Sequence, residues 1–169
     1  MPQTKPEPAP AHHLDQRSFR DLLGRFPTGV VLVTAEAAHG PVGMAVNSFV
    51  SVSLEPALIA LCVGRSSTTW PSLRATGGFA VSILGDGHAE LCRLFATQGA
   101  DRFSGGTWVR TPAGRPTLPD ALGWLDCDIS AIHPAGDHDL VVASVDRGAV
   151  TESSRPLVFH AGRFRGLAG

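Results

Sequence analysis

The chain has 169 residues and a formal net charge of −1, long enough for one sizeable core and without the basic footprint of a nucleic-acid binder. Hydrophobic residues make up 43% and charged ones 17%, which excludes an intrinsically disordered chain. No apolar run reaches the length of a membrane span and no basic amphipathic helix marks a lipid surface; the 13 arginines against one lysine read as coding bias.

Residues 1–13 carry four prolines and little apolar matter, so they are expected to form a disordered tail ahead of a single domain over residues 14–169. That opening stretch also lacks the apolar core of a secretory signal, which predicts a cytoplasmic protein. Phe19, Leu22 and Leu23 fall at helical spacing, with Asp15 and Ser18 near the start and Gly24 and Pro27 as stops. Gly29 to Thr34 is a β-branched run read as a strand covered on both faces. Ala35 to Gly40 is predicted as a turn, and Pro41 to Ser48 as the return strand of a hairpin. Ser51 to Leu54 alternates, Glu55-Pro56 makes a corner, and Leu58 to Val63 reads as a buried strand. A short helix is expected over Trp70–Ala75, ended by Gly77-Gly78, and a strand over Phe79–Leu84. Ala89 to Ala96 places Leu91, Leu94 and Phe95 on one helical face. Thr97 to Leu118 reads as a long loop with Phe103 and Trp108 as isolated aromatics, and loops of that length inside a domain are usually functional. Strands over Leu125–Ile132 and Leu140–Val150 flank the turn Pro134–Asp137; Pro156 to His160 is the last full strand, with Arg163-Phe164-Arg165 continuing it briefly. Six or seven strands with two or three helices predict a mainly β fold, an antiparallel and at least partly closed barrel.

Two stretches carry candidate chemistry. Gly43-Met44-Ala45-Val46-Asn47-Ser48 is a wall of small residues ending in an amide and a hydroxyl, flat enough for a planar ring. Arg65-Ser66-Ser67-Thr68-Thr69 gathers one cation and four hydroxyls at a predicted helix start, a donor set suited to a phosphate. Each has a structural alternative: an N-cap cluster for Ser66–Thr69 and a strand-end turn for Asn47-Ser48. Together they suggest a phosphorylated aromatic cofactor along two strand edges. The glycine fingerprint of a dinucleotide fold is missing, and neither a carboxylate pair nor a catalytic triad is evident. Cys62, Cys92 and Cys127 lack redox or metal spacing and are expected as buried, reduced thiols; the histidines show no metal-ligand spacing, so no metal is assigned.

The run GMAVNSFVSVSLEPALIALCV followed by SSTT resembles the cofactor-binding core of the flavin reductase-like family. Further stations at Phe26-Pro27-Thr28-Gly29-Val30, Gly78 to Leu84, Gly136-Asp137-His138 and Pro156 to Phe159 extend the resemblance over the chain beyond its first dozen residues. It implies a flavin-binding split barrel with Greek-key-like antiparallel strands. The implied activity is reduction of FAD or FMN by NADH or NADPH, with FAD and NADH favoured, in a homodimer that supplies reduced flavin to a partner monooxygenase. Flavin would lie along residues 43–48 and 62–69, engaging Met44, Ala45, Val46, Asn47, Ser48, Cys62 and Val63, with its phosphate at Ser66, Ser67, Thr68 and Thr69. Thr28 would reach the same ring edge. Arg102 and Phe103 would border the site, His138 would position the nicotinamide, and Arg163 with Phe164 would help cover it. Arg65 either supports the phosphate or is simply solvated. Alternatives on the same fold are a non-catalytic flavin or electron carrier and a pyridoxine-phosphate-type oxidase; a plain structural barrel would make both polar clusters accidental.

Overall fold

The computed structural model describes residues 13–151 and 155–167; the expected disordered tail falls almost wholly outside them. Asp15 caps the first helix, α1 (Gln16–Leu23), by accepting a 2.7 Å hydrogen bond from the Ser18 N–H, and Gly24 closes it. The strands follow as β1 (Thr28–Gly29), β2 (Val31–Ala37), β3 (Gly40–Val46), β4 (Val50–Leu54) and β5 (Ala57–Gly64). Then come α2 (Trp70–Ala75), β6 (Gly78–Ile83), α3 (Ala89–Ala96), β7 (Val109–Arg110) and β8 (Pro116–Thr117). β9 (Gly123–Ala135), β10 (His138–Val150), β11 (Leu157–His160) and β12 (Arg163–Gly166) complete the described chain.

Seven strands make the main sheet, all pairs antiparallel, in the order β3-β2-β6-β9-β10-β5-β4. Its two edges, β3 and β4, are consecutive in sequence. The residues between Val46 and Val50 reach at most about 14 Å, whereas the edges of a flat seven-stranded sheet would stand about 29 Å apart. The sheet therefore curls until its edges approach. Ser48 fastens the seam: its hydroxyl donates to the Cys62 carbonyl and accepts from the Cys62 N–H, each at 2.9 Å.

β2 is buried on both faces, as its sequence predicts. Val31, Val33 and Ala35 face the barrel interior with Leu61, Phe79, Val81 and Val141. Val30 and Leu32 belong to a second core, against Leu84, Phe95, Leu118 and Leu157.

Four details differ from expectation. The run Gly29–Thr34 is split at Val30, because Thr28-Gly29 pairs with β11 in a separate three-stranded sheet. The predicted turn starts later, since β2 holds its pairing as far as Ala37↔Gly40. Arg163–Arg165 does not prolong β11 but folds back on it as β12, through Ala161 and Gly162 at φ of 49° and 75°. The long loop contains β7 and β8, pinned to the barrel by Thr34 Oγ1 donating to the Pro116 carbonyl (2.6 Å) and by the Ser82–Thr117 hydroxyl pair (2.8 Å). Its aromatics are not isolated: the Phe103 ring lies 4.7 Å from Trp108 and 5.3 Å from Phe95 between centroids.

Candidate functional site

β3 is an edge strand, so one side of its backbone and alternate side chains are left for other partners. Three hollows follow it from start to end. The first, about 300 Å³, lies between Pro41–Gly43, Thr68-Thr69, Ser72 and Asp101–Phe103. Arg102 bridges it, Nη1 donating to the Gly43 carbonyl (2.9 Å) and to Thr69 Oγ1 (2.6 Å). Gly43 is sterically required. A Cβ there would stand 2.8 Å from Thr34 Cγ2 and 2.9 Å from both Phe95 Cε1 and the Val33 carbonyl oxygen.

The second hollow, about 170 Å³, is apolar, with Ala45, Val46 and Asn47 on one side and Cys92, Phe159 and Phe164 on the other. The third, about 410 Å³, shares Asn47 and Phe159 with it and adds Thr28, Ser48, Leu23 and Phe26. Among the described residues Thr28 Oγ1 is the one buried side-chain polar atom without a hydrogen-bond partner. A buried hydroxyl left unpaired is costly, so this atom fits a site whose ligand brings a polar ring edge.

The two sequence clusters are brought together. Ser48 joins the end of β3 to Cys62, and Arg102 joins Gly43 to Thr69, so residues 43–48 and 62–69 are tied at two points. His138 pairs with Gly64 across β10 and β5. A Cβ on Gly64 would lie 3.7 Å from His138 Nε2 and 3.9 Å from Ser66 Oγ, so the imidazole and this hydroxyl flank one open glycine. His138 Nδ1 is 2.7 Å from Asp137 Oδ1, and that hydrogen bond, helped by the charge of a protonated ring, holds the Asp137 carboxyl below its ordinary range.

Several predicted residues take a different part from the one their sequence suggests. Met44 and Val63 turn into the barrel core, leaving only their backbone at the strand edges. The Ser48 hydroxyl is occupied by Cys62 and is not free to donate to a ring. Ser67 Oγ accepts from the Trp70 N–H at 3.2 Å, so one of the four hydroxyls is a helix cap; Thr69, the N-cap residue, makes no side-chain cap bond. Arg65 is exposed, and its Nε donates to Asp139 Oδ1 at 2.9 Å, so part of its guanidinium is already engaged. The Arg65 hydrogen bond, followed by that of Trp70 Nε1, lowers the Asp139 pKa. Phe103 stands in the aromatic cluster and borders the first hollow. Phe164 lies 5.4 Å from Phe159, beneath the Arg93 guanidinium, whereas Arg163 is exposed and lines none of the three hollows. Of the cysteines, Cys92 and Cys127 are buried as expected, and burial pushes their thiols up to about 11 and about 12; Cys62 is only half-buried.

Sequence reasoning missed Phe159, which lines the second and third hollows. Its sequence signals are a bulky aromatic in a strand and its place in the Pro156–Phe159 station, neither of which gives it a role, and the pairing Thr28↔Phe159 that brings it to the site is long-range. The resulting arrangement has a polar first hollow, an apolar second one and no nucleophile–base pair among the described residues. It can hold a flat ring and orient a second one against it; the redox chemistry must come from the ligands.

The chain belongs to the flavin reductase-like family: the family described as "Flavin reductase like domain" matches residues 23–168. A flavin reductase from Pseudomonas putida is 40% identical over 156 residues, covering 92% of each chain. The reductase subunit HsaB of a flavin-dependent monooxygenase from Rhodococcus jostii is 34% identical over 157 residues, 93% of this chain and 80% of that one. Among solved structures, the Streptomyces globisporus NADH:FAD oxidoreductase SgcE6, in complex with NAD and FAD fragments, superposes with a TM-score of 0.86 at 35% identity, covering 94% and 98% of the two chains. The mainly β, antiparallel fold predicted from sequence is the fold of these reductases.

Proposed function

We propose that this protein is an NAD(P)H-dependent flavin reductase that passes reduced flavin to a partner monooxygenase. The observation that carries the reading is the unpartnered Thr28 hydroxyl in the hollow it lines with Asn47 and Ser48, next to the apolar hollow at Ala45–Asn47. A flavin bound there supplies the hydride acceptor; the chain itself binds, orients and excludes water.

Gly43 and Ala45 keep the floor low enough for a flat ring. Thr28 and the Asn47 side chain meet its polar edge, Ser48 contributing backbone because its hydroxyl holds Cys62. Ser66, Thr68, Thr69 and Arg102 take the flavin phosphate, with Ser67 capping α2 behind them. His138, beside Gly64, positions the nicotinamide so that hydride leaves its C4 towards the ring. Phe164, with Arg163 at the rim, covers the outer side. FAD is favoured over FMN, in keeping with the name of SgcE6. NADH is favoured over NADPH because Arg65, the cation nearest His138 in the β5–β10 register, is already paired with Asp139.

A second copy completes the assembly. Phe19, Leu22, Leu23 and Phe26 of the α1 region are 50–72% exposed, an apolar face that a homodimer would cover beside the third hollow. Residues 14–169 act as one domain. No described helix is long and apolar enough to cross a membrane, and three free cysteines suit the reducing cytoplasm.

The test is NADH oxidation by the purified protein with added FAD or FMN, followed optically under steady-state conditions. Saturable dependence on flavin is expected. Consumption at the uncatalysed rate with both flavins, and with NADPH in place of NADH, overturns the reading.

A further inference from the structure

α2 separates two hollows. On one flank Ser72 joins Thr68, Thr69 and Arg102; on the other an open groove of about 710 Å³ is lined by Arg65, Pro71, Arg74, Ile132, Pro134 and Asp139 among others. Nothing in the reading above uses this second groove. Its charges are unbalanced. The Asp139 carboxylate accepts from Arg65 at 2.9 Å and from the Trp70 indole at 3.1 Å and also feels the charge of Arg74, so two guanidiniums face one carboxylate. Arg74 is exposed, and its guanidinium has neither a hydrogen bond nor an ion pair among the described residues. Pro71, Ile132 and Pro134 supply an apolar wall beside that free cation.

A groove with one unspent guanidinium and a flat apolar wall suits a ligand with an anionic end and a planar end. Arg65 is covalently next to Ser66, so the groove begins where the hydroxyl cluster of residues 66–69 begins. We infer that it is a nucleotide subsite taking the 5′-adenylate half of a dinucleotide, with Arg74 on the phosphate and the base against Pro71 and Pro134. This rests on the proposed binding of a flavin phosphate at residues 66–69. Both FAD and NADH carry such an adenylate, and the geometry assigns the shared chemistry.

The probe is 5′-AMP, titrated calorimetrically into the full chain. The wild type is expected to bind it, Arg74→Glu to lose it, and Arg74→Lys to retain most of it. In kinetics, Arg74→Glu should raise the Kd of FAD about tenfold or more while leaving FMN unchanged, if FAD is the source. If the nicotinamide dinucleotide is the source, the KM for NADH rises by the same factor while that for reduced nicotinamide mononucleotide does not. Arg74 is exposed, so thermal unfolding should be unchanged in both variants. No AMP binding by the wild type, or AMP, FAD and NADH parameters all unchanged in Arg74→Glu, overturns the subsite while flavin reduction by the wild type continues. AMP binding that Arg74→Glu abolishes in a protein that reduces no flavin would instead keep the nucleotide subsite and remove the reductase reading.

Discussion

The two ends of β3 are built differently. At Gly43 there is no room for a side chain, and Arg102 satisfies the Gly43 carbonyl and the Thr69 hydroxyl together. Behind it Phe95 is 2% exposed and packed edge-on to Phe103. At Asn47-Ser48, by contrast, Thr28 Oγ1 has no partner, and the adjoining Leu23 and Phe26 are 56% and 72% exposed. The closed end finishes its own chemistry within one chain. The open end leaves polar and apolar groups without partners among the described residues, and the proposed ring edge and second copy would complete them.

The comparison breaks most sharply on stability. Phe95→Ala should destabilise the fold by about 3–5 kcal/mol, the usual loss for a fully buried aromatic, read from denaturant midpoints. Phe26→Ala at the open end should stay within about 0.5 kcal/mol in the isolated chain. Equal losses at the two positions would show that the ends do not differ as described. Next in size is Ser48→Ala, which strips both Cys62 bonds from the seam. About 1–3 kcal/mol is expected, the cost of leaving backbone groups unsatisfied, together with weaker flavin binding because residues 43–48 and 62–69 lose one of their two ties. A stable Ser48→Ala protein with undiminished flavin affinity would mean that the Arg102 bridge alone holds the strand edges in place.

What could be read from the sequence divides along the same line. Periodicity gave α2 and α3 to the residue, and the paired β2–β3 and β9–β10 hairpins, because alternation, turn glycines and apolar faces are local signals. The closed end was partly legible: Gly43 and Thr69 were singled out, yet nothing local says that Arg102, some 60 residues on, joins them. Phe159 was invisible as a site neighbour for the same reason, since it arrives by a pairing that crosses the fold; Phe103 was named only through the family resemblance, not by any local pattern. Ser48 was misread in role rather than position. The Cys62 backbone takes up its hydroxyl, and no sequence pattern announces which of two available partners a side chain will choose.

His138 sharpens the comparison from the opposite strand. Its removal should lower kcat/KM for NADH roughly tenfold, about 1.4 kcal/mol of misplaced hydride donor, while flavin affinity holds. Asp137 gives the pH control. Its carboxyl is depressed by the His138 hydrogen bond below the ordinary 3.8, so the stability it adds is fully present above that value and lost as pH falls through the lower folded one. It therefore stays ionised around neutrality. An alanine variant at position 138 with wild-type NADH kinetics would move nicotinamide positioning away from the β9–β10 turn.

The smallest expected effect is the most diagnostic of the open end. Thr28→Val keeps the side-chain shape and deletes only the unpartnered hydroxyl. In the flavin-free protein that hydroxyl is a buried group without a hydrogen bond, so its loss should leave stability unchanged or raise it by up to about 1 kcal/mol. On the proposed reading the ring edge satisfies the same hydroxyl when flavin binds, and its loss should weaken affinity by about 0.5–1.5 kcal/mol. The two signs oppose each other, which no purely structural role for Thr28 produces: a packing or capping threonine would lose stability in both states. Thermal unfolding with and without saturating flavin, alongside a direct titration, reads both terms on one pair of proteins. A variant that loses stability without flavin, or binds flavin as tightly as the wild type, would show that the hydroxyl already has its partner within the chain.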